Sequence, residues 1–305
     1  MLASLFAAPP SHAQDGALPT ADFSSLNEDS VRTVTDIIDP LTVTLDDGRT
    51  IHLAGIDYPD LDYYDPGELS QTAIKILDDF LKGKKVIIYN TKNPADGRVN
   101  RMGHEIAQLE RKDDGVWVQG MLLTLGLARV RTDRTNPEMA EQMYDIEQKA
   151  RDAKTGLWEV DAYKILPADD AEMSIGSYAV IEGKIVTAAM KSNKLYLNFG
   201  QNWRSDFTVA IDTQSRRAFR KEGFDPIQWG GKNVRVRGWV SSFNGPYMEI
   251  DHPERFEILP DDAPPPEARN ETPNVPEEEK INNDKPPASD ILNRKGNALP
   301  SYNND

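Results

Sequence analysis

The sequence predicts an α+β chain, mainly β, built as two β-rich domains followed by a tail that does not fold. Three observations carry this. Short alternating or β-branched apolar runs recur between residues 31 and 110 and again between 176 and 259. The two regions are separated at 161–175 by a break with Pro167 and a run of acids, which is a linker by composition. From Pro260 onward the composition collapses to Pro, Asn, Asp and Glu, so 261–305 has too little apolar surface to offset the entropy of folding.

Taken in order, the first residues, MLASLFAAPPSHAQ, combine a short apolar run with Ser11-His12-Ala13, a small-x-small pattern suited to signal cleavage before Gln14. Residues 1–30 are therefore expected to be a signal-peptide remnant and a flexible N-terminus, and the protein to be exported to a bacterial periplasm or beyond the cell. No apolar run approaches the roughly 18 residues a membrane span needs. The chain has 305 residues and no cysteine, which excludes disulfides and thiolate metal sites.

The formal net charge is -15. Tight nonspecific binding of duplex DNA depends on Lys and Arg neutralising phosphates, and an acidic whole argues against it. Only residues 175–250, with 11 bases against 6 acids, carry the right sign.

In the first domain, VTDIIDPLTVTLDDGRT reads as two β-rich runs with turn signals at Asp39-Pro40 and at Asp46-Asp47-Gly48. The stretch IHLAGIDYPD at 51–60 starts as a strand. Its alternation puts Ile51 and Leu53 on one face and His52 on the other, and it turns at Gly55 to present Asp57 and Asp60 on either side of Pro59. Residues 67–82 read as a helix with Leu69, Ala73, Ile74, Leu77, Phe80 and Leu81 at helical spacing, stopped by Gly83. KKVIIY at 84–89 is a strand. A loop over 90–103 holds Arg98 and Arg101, and a strand follows at 105–110. Residues 115–130 supply a helix leading into GLARV. Pro137 begins a third helix, whose Met139, Met143, Ile146 and Ala150 are expected to fill the core.

That order, with LAGIDYPD, GLARV at 126–130 and the KTGLW close at 154–158, resembles the staphylococcal nuclease-like (thermonuclease) family over about residues 31–160. The resemblance implies a small β-barrel of OB type with helices packed around it. It also implies metal-dependent phosphodiester cleavage: Ca2+ held by carboxylates of the first hairpin and after the GID turn, an acid after the Pro as base or water-orienting group, and two arginines on the phosphate. Asp57 matches the ligand after the turn, and Thr42 is a candidate ligand-shell oxygen. The hairpin carboxylate is replaced by Leu41, which offers calcium no oxygen. Asp60 stands where the family has Glu. His52 and His104 stand where it has Arg, and neutral imidazole dominates above a pKa of about 6.5.

Three readings follow from these positions. One is an eroded nuclease fold that binds a polymer or a protein partner in the cell envelope. Another is an active nuclease on single-stranded DNA or RNA, in which Asp57 holds Ca2+ or another divalent ion, Asp60 orients water, and His52, His104 and Arg101 (or Arg98) contact phosphate. The last is a transition-metal site made by His52, His104, Asp57 and Asp60, a donor set suited to Zn2+ or Mn2+.

In the second domain, strands are expected in YAVIEGKIV, KLYLNFG and DFTVAI, then a helix in TQSRRAFRKEG, then strands in KNVRVRGWV and PYMEI. Three strands, a helix and two or three strands form the order of an OB-like barrel over 176–260. Tyr196, Phe199, Trp203, Arg204, Arg235 and Arg237 interleave rings with positive charge, a pattern suited to stacking bases and tracking a single-stranded backbone. The alternative is that the rings are core and the charges a solvated face.

Overall fold

The computed structural model describes residues 18–61, 66–93, 97–202, 204–263 and 266. The signal-like residues 1–17 and all but four residues of the 261–305 tail lie outside the described residues. Both β-rich regions fall within one compact unit.

The first region runs β1 (Asn27–Asp39), β2 (Thr42–Leu45), β3 (Thr50–Leu53), β4 (Ile56–Asp57), α1 (Glu68–Leu81), β5 (Lys85–Asn90), β6 (Glu105–Arg111), β7 (Val116–Trp117), α2 (Val118–Thr124), β8 (Arg129–Val130) and α3 (Ala140–Asp152). β1, β2 and β3 form an antiparallel meander, β1 also pairs β5, β5 pairs β6, and β6 returns to β3 in parallel. The result is a closed five-strand barrel of OB type. Register shifts along β1 at Glu28/Val31, Val34/Asp36 and Ile37/Asp39 let one strand bend far enough to serve two neighbours. Period-two burial holds in β3, where Ile51 and Leu53 are fully buried and His52 faces away. The expected stripe on α1 packs inward through Ala73, Leu77 and Leu81, and Met139 and Met143 fill the same core.

Three expectations need correction. Residues 18–26 are part of the first fold. Phe23 stacks on Tyr89 at 4.2 Å and meets Trp117 edge-on, Leu26 is buried, and the Pro19 carbonyl accepts the Trp117 amide at 2.8 Å. The helix expected over 115–130 is only α2. It stops before Gly126, which takes a positive φ and sits so close to Thr155 that a Cβ there would lie 2.0 Å from its carbonyl oxygen. The Gly126 carbonyl in turn accepts the Leu157 amide at 2.8 Å, so GLARV and KTGLW are two halves of one backbone crossing. The third correction is the break at 161–175, which belongs to the second barrel: Leu166 and Ala171 are buried in its core, and β9 (Leu166–Pro167) pairs in parallel with the next strand. Acids and proline suit its turns, and a few apolar side chains are enough to dock it.

The second region continues with β10 (Tyr178–Lys184), β11 (Thr187–Lys191), β12 (Lys194–Asn198), β13 (Thr208–Ile211), α4 (Thr213–Lys221), β14 (Asn233–Ser242), β15 (Pro246–Glu249) and β16 (Phe256–Ile258). The pairing path is β11-β12-β13-β15-β14-β10, and its two ends are consecutive on the chain, parted only by residues 185 and 186. The path therefore returns on itself in the strand order of the first barrel, with β13 and β15 as the parallel pair and α4 between the third and fourth positions. The Asp212 carboxylate caps α4 by accepting the Ser215 amide at 2.7 Å. Phe219 seats the helix against Trp229 and Phe256.

The two cores are separate, and what joins the barrels is polar. Arg237 of β14 and Glu147 of α3 are fully buried and pair at 3.0 Å; Arg237 also bonds Glu257 at 2.7 Å and the Val130 carbonyl at 3.1 Å. Arg235 pairs with Glu182 at 2.5 Å and Glu257 at 2.9 Å, and reaches Gln148 on α3 at 3.2 Å. Burial alone would push the Glu147 carboxyl up, but Arg237 and Arg151 outweigh it and hold it below the usual carboxylate range.

Candidate functional site

A cleft of about 470 Å³ opens where β3 leads into β4, beside β6 and the segment after β8. His52, Asp57, Tyr58, Asn100, Arg131 and Asn136 line it, together with Leu41 and, from the second barrel, Arg255.

Asp57 sits opposite Arg129 in the β4–β8 pair, so strand register brings the two together. Its Oδ2 accepts Arg129 Nε at 3.0 Å and a terminal nitrogen of the same guanidinium at 2.9 Å, and its Oδ1 accepts Arg131 at 3.1 Å. Arg129 is buried, donates to the Tyr178 carbonyl at 3.1 Å, and lies 4.7 Å above the Tyr178 ring. Arg131 lies over the same ring at 5.1 Å, with its side chain half exposed.

Asp60 points away from this group. Its Oδ2 accepts the amides of Leu69 and Ser70 at 2.8 and 3.3 Å, and its Oδ1 accepts the Ser70 hydroxyl at 2.7 Å. A carboxylate at a helix N-terminus satisfies orphan amides and complements the helix dipole, so Asp60 is the cap of α1.

His52 lies across β3 from Thr42 on β2 and Ile106 on β6. Burial lowers its pKa; Asp39 pulls the other way, while His104 and Arg131 lower it further. The shift favours the neutral form of the His52 imidazole. His104 opens β6, its amide bonded to Asn100 Oδ1 at 3.0 Å and its Nδ1 buried without a hydrogen-bond partner. Thr42 is buried in β2. Arg101 is exposed on the turn before β6 and Arg98 donates weakly to the Thr91 carbonyl at 3.4 Å; neither lines the cleft.

The structure therefore brings His52, His104 and Asp57 into one neighbourhood and leaves Arg101 and Asp60 out of it. Among the described residues, no three His, Asp or Glu side chains come together as a metal site would need. The donor set does not fit a calcium ion: Leu41 supplies no oxygen, Asp57 already accepts three hydrogen bonds from two guanidiniums, whose positive charge repels a cation, and Asp60 is spent on a helix. Sequence reading did not single out Arg129, which holds Asp57, or Arg131 and Arg255, which line the cleft. Arg129, within GLARV, and Arg131, just after it, were available as an i, i+2 pair on an extended segment, which places them on one face. Nothing local distinguishes Arg255.

Most ring-and-charge residues of the second barrel serve other ends. Arg235 and Arg237 are buried in the interface and cannot track a nucleic-acid backbone, and Phe199 is core, packed on Phe207 at 4.9 Å. These three expectations are corrected. Trp203 lies outside the described residues, and Arg204 sits on an exposed turn. Tyr196 is half-buried and lines a second cavity, of about 600 Å³, with Phe243 and Tyr247.

The first region is an OB-type barrel with a polar cleft beside its parallel strand pair. Residues 50–160 match the family model for staphylococcal nuclease homologue, and the chain carries an SNase-like nuclease domain. No curated protein matches the chain.

Proposed function

We propose that this is an exported protein in which the nuclease-type cleft binds the phosphates of single-stranded nucleic acid without the calcium-assisted cleavage of the family, a binding or scaffolding role in the cell envelope. The observation that carries this reading is the Asp57 clamp. A carboxylate whose two oxygens already accept three guanidinium hydrogen bonds is a poor ligand for a metal ion, which the two guanidiniums also repel, while Arg131 keeps a half-exposed cation at the cleft. Catalysis without the metal would also lack the electrostatic stabilisation of developing charge, and one lost preorganised donor alone costs on the order of a hundredfold or more in rate.

Digestion of single-stranded DNA and RNA by the full chain with Ca2+, Mn2+, Zn2+ or EDTA tests it, alongside binding of a short oligonucleotide at low and high salt. Salt-dependent binding with no metal-dependent cutting is expected. Metal-dependent cutting that vanishes in Asp57→Ala would overturn the reading in favour of an active endonuclease. The observation that favours that second reading is Arg131, a guanidinium at the cleft where the family positions His52 and His104 have lost theirs.

A further inference from the structure

The cleft of the first barrel is completed by the second. Thr132, on its wall, bonds His252 Nε2 at 2.8 Å through its hydroxyl, and His252 Nδ1 bonds Asp251 at 2.7 Å. Thr132 and His252 are both buried, so the 251–255 segment is held against the cleft by an enclosed hydrogen-bonded relay. Three residues after His252, Arg255 enters the cleft lining.

Its guanidinium is under-used. The nearest carboxylate, Asp251, is 3.6 Å from Nε and already bonded to His252, and Nε is buried with no hydrogen-bond partner. A second group in the same wall is also unsatisfied: Tyr58 is almost wholly buried, and its hydroxyl has no partner. A buried donor left without a partner is destabilising, and an incoming acceptor oxygen relieves that cost. Arg131 supplies a further cation on the first-barrel side, fixed at one end by Asp57. Four acids face this group: Asp57 is clamped by two arginines, Asp133 accepts the amide and hydroxyl of Thr135 in its own turn, Asp60 caps α1, and Asp39 accepts the Leu41 amide at 2.7 Å while its charge reaches Tyr58 and His52.

We propose that Arg255 of the second barrel and Arg131 of the first, with the Tyr58 hydroxyl, form a phosphate site that replaces the arginine pair lost at His52 and His104. The inference rests on the reading of the cleft as a phosphate binder and adds that the site is incomplete without the second barrel. Guanidinium groups suit it because a planar fork can bond two phosphate oxygens at once.

The test is calorimetric titration of the full chain with inorganic phosphate and, separately, with a short single-stranded DNA, for wild type, Arg255→Gln, Arg255→Lys, Arg131→Gln and, as a control on the exposed side of α4, Arg220→Gln. Arg255→Gln and Arg131→Gln should each weaken both ligands about tenfold or more, the equivalent of one charge-assisted hydrogen bond. Each should also lower the oligonucleotide salt slope by about one. Arg255→Lys should keep that slope while losing part of the affinity, and Arg220→Gln should bind as wild type.

Oligonucleotide binding that Arg255→Gln leaves unchanged overturns the inference and leaves the proposed function standing. Arg255-dependent phosphate binding without any oligonucleotide binding supports the inference and overturns the nucleic-acid reading. No binding of either overturns both. Should Arg255→Gln fail to fold, arginine Nε–H resonances followed in the wild type during the phosphate titration decide the matter: none moving overturns the proposal.

Discussion

The two barrels follow one path, strand-strand-strand-helix-strand-strand closed by a parallel third–fifth pair, yet they differ in what they leave uncovered. In the first barrel the opening beside β3 and β6 is walled by arginines, an imidazole and a clamped carboxylate. In the second, the cavity across β11, β12 and β13 is walled by Tyr196, Tyr247 and Phe243, with Lys191 and Asn198 at its edge. They also differ in how the first strand bends. β1 stays continuous over 13 residues by taking register shifts, whereas its counterpart breaks into β10 and β11. Topology fixes where a cleft can form; the side chains that alternate away from the core decide its chemistry, and those are free to diverge because the core does not constrain them.

The sharpest way to break the comparison is at the join. If the barrels are one structural unit, Arg237→Ala, which strands the buried Glu147, should cost about 3–5 kcal/mol, and both barrels should unfold together at a lower temperature. Tryptophan fluorescence and far-UV circular dichroism recorded on the same thermal scan would check this; a first barrel melting unchanged would make the second a mere appendage. Next in size is Phe23→Ala, which removes the ring packed on Tyr89 and Trp117 and should cost about 3 kcal/mol by urea denaturation. The segment that precedes the second barrel docks through the smaller Leu166 and Ala171 instead of a ring, and the substitution should leave the slope with denaturant intact.

Smaller again is Asp60→Ala. Loss of a helix cap should lower stability by about 1 kcal/mol while leaving oligonucleotide binding unchanged, whereas loss of a water-orienting base would slow cleavage and leave stability as it was. The smallest effect concerns pH. Burial first, with His104 and Arg131, lowers the folded pKa of His52 below its unfolded value of about 6.5, so the unfolded chain takes up that proton first. Its contribution is fully present above pH 6.5 and is lost as pH falls through 6.5 toward the folded pKa. Denaturation midpoints at pH 8, 6.5 and 5.5 should therefore fall less steeply for His52→Gln than for wild type.

How much of this could be read beforehand depends on the range of the interaction. Alternation in IHLAGID placed Ile51 and Leu53 inside and His52 outside, and the stripe of Ala73, Leu77 and Leu81 placed α1. These are short-range consequences of strand and helix geometry, so the chain by itself determined most of the elements and their order, while Phe23, Leu26, Leu166 and Ala171 joined the cores through contacts that local pattern does not record. The loss of calcium ligands at Leu41 was legible for the same reason, since a residue type either offers oxygen or does not. What only the tertiary structure decided is how each polar group is used. Asp57 and Asp60 look alike in GIDYPD, yet one is held by arginines 72 and 74 residues away and the other caps a helix. Arg235 and Arg237 alternate like a solvated face, yet Arg237 is fully buried against a helix of the other barrel. A charge is stabilised by whichever partners surround it in space, and no pattern along the chain records partners that the fold brings in from elsewhere.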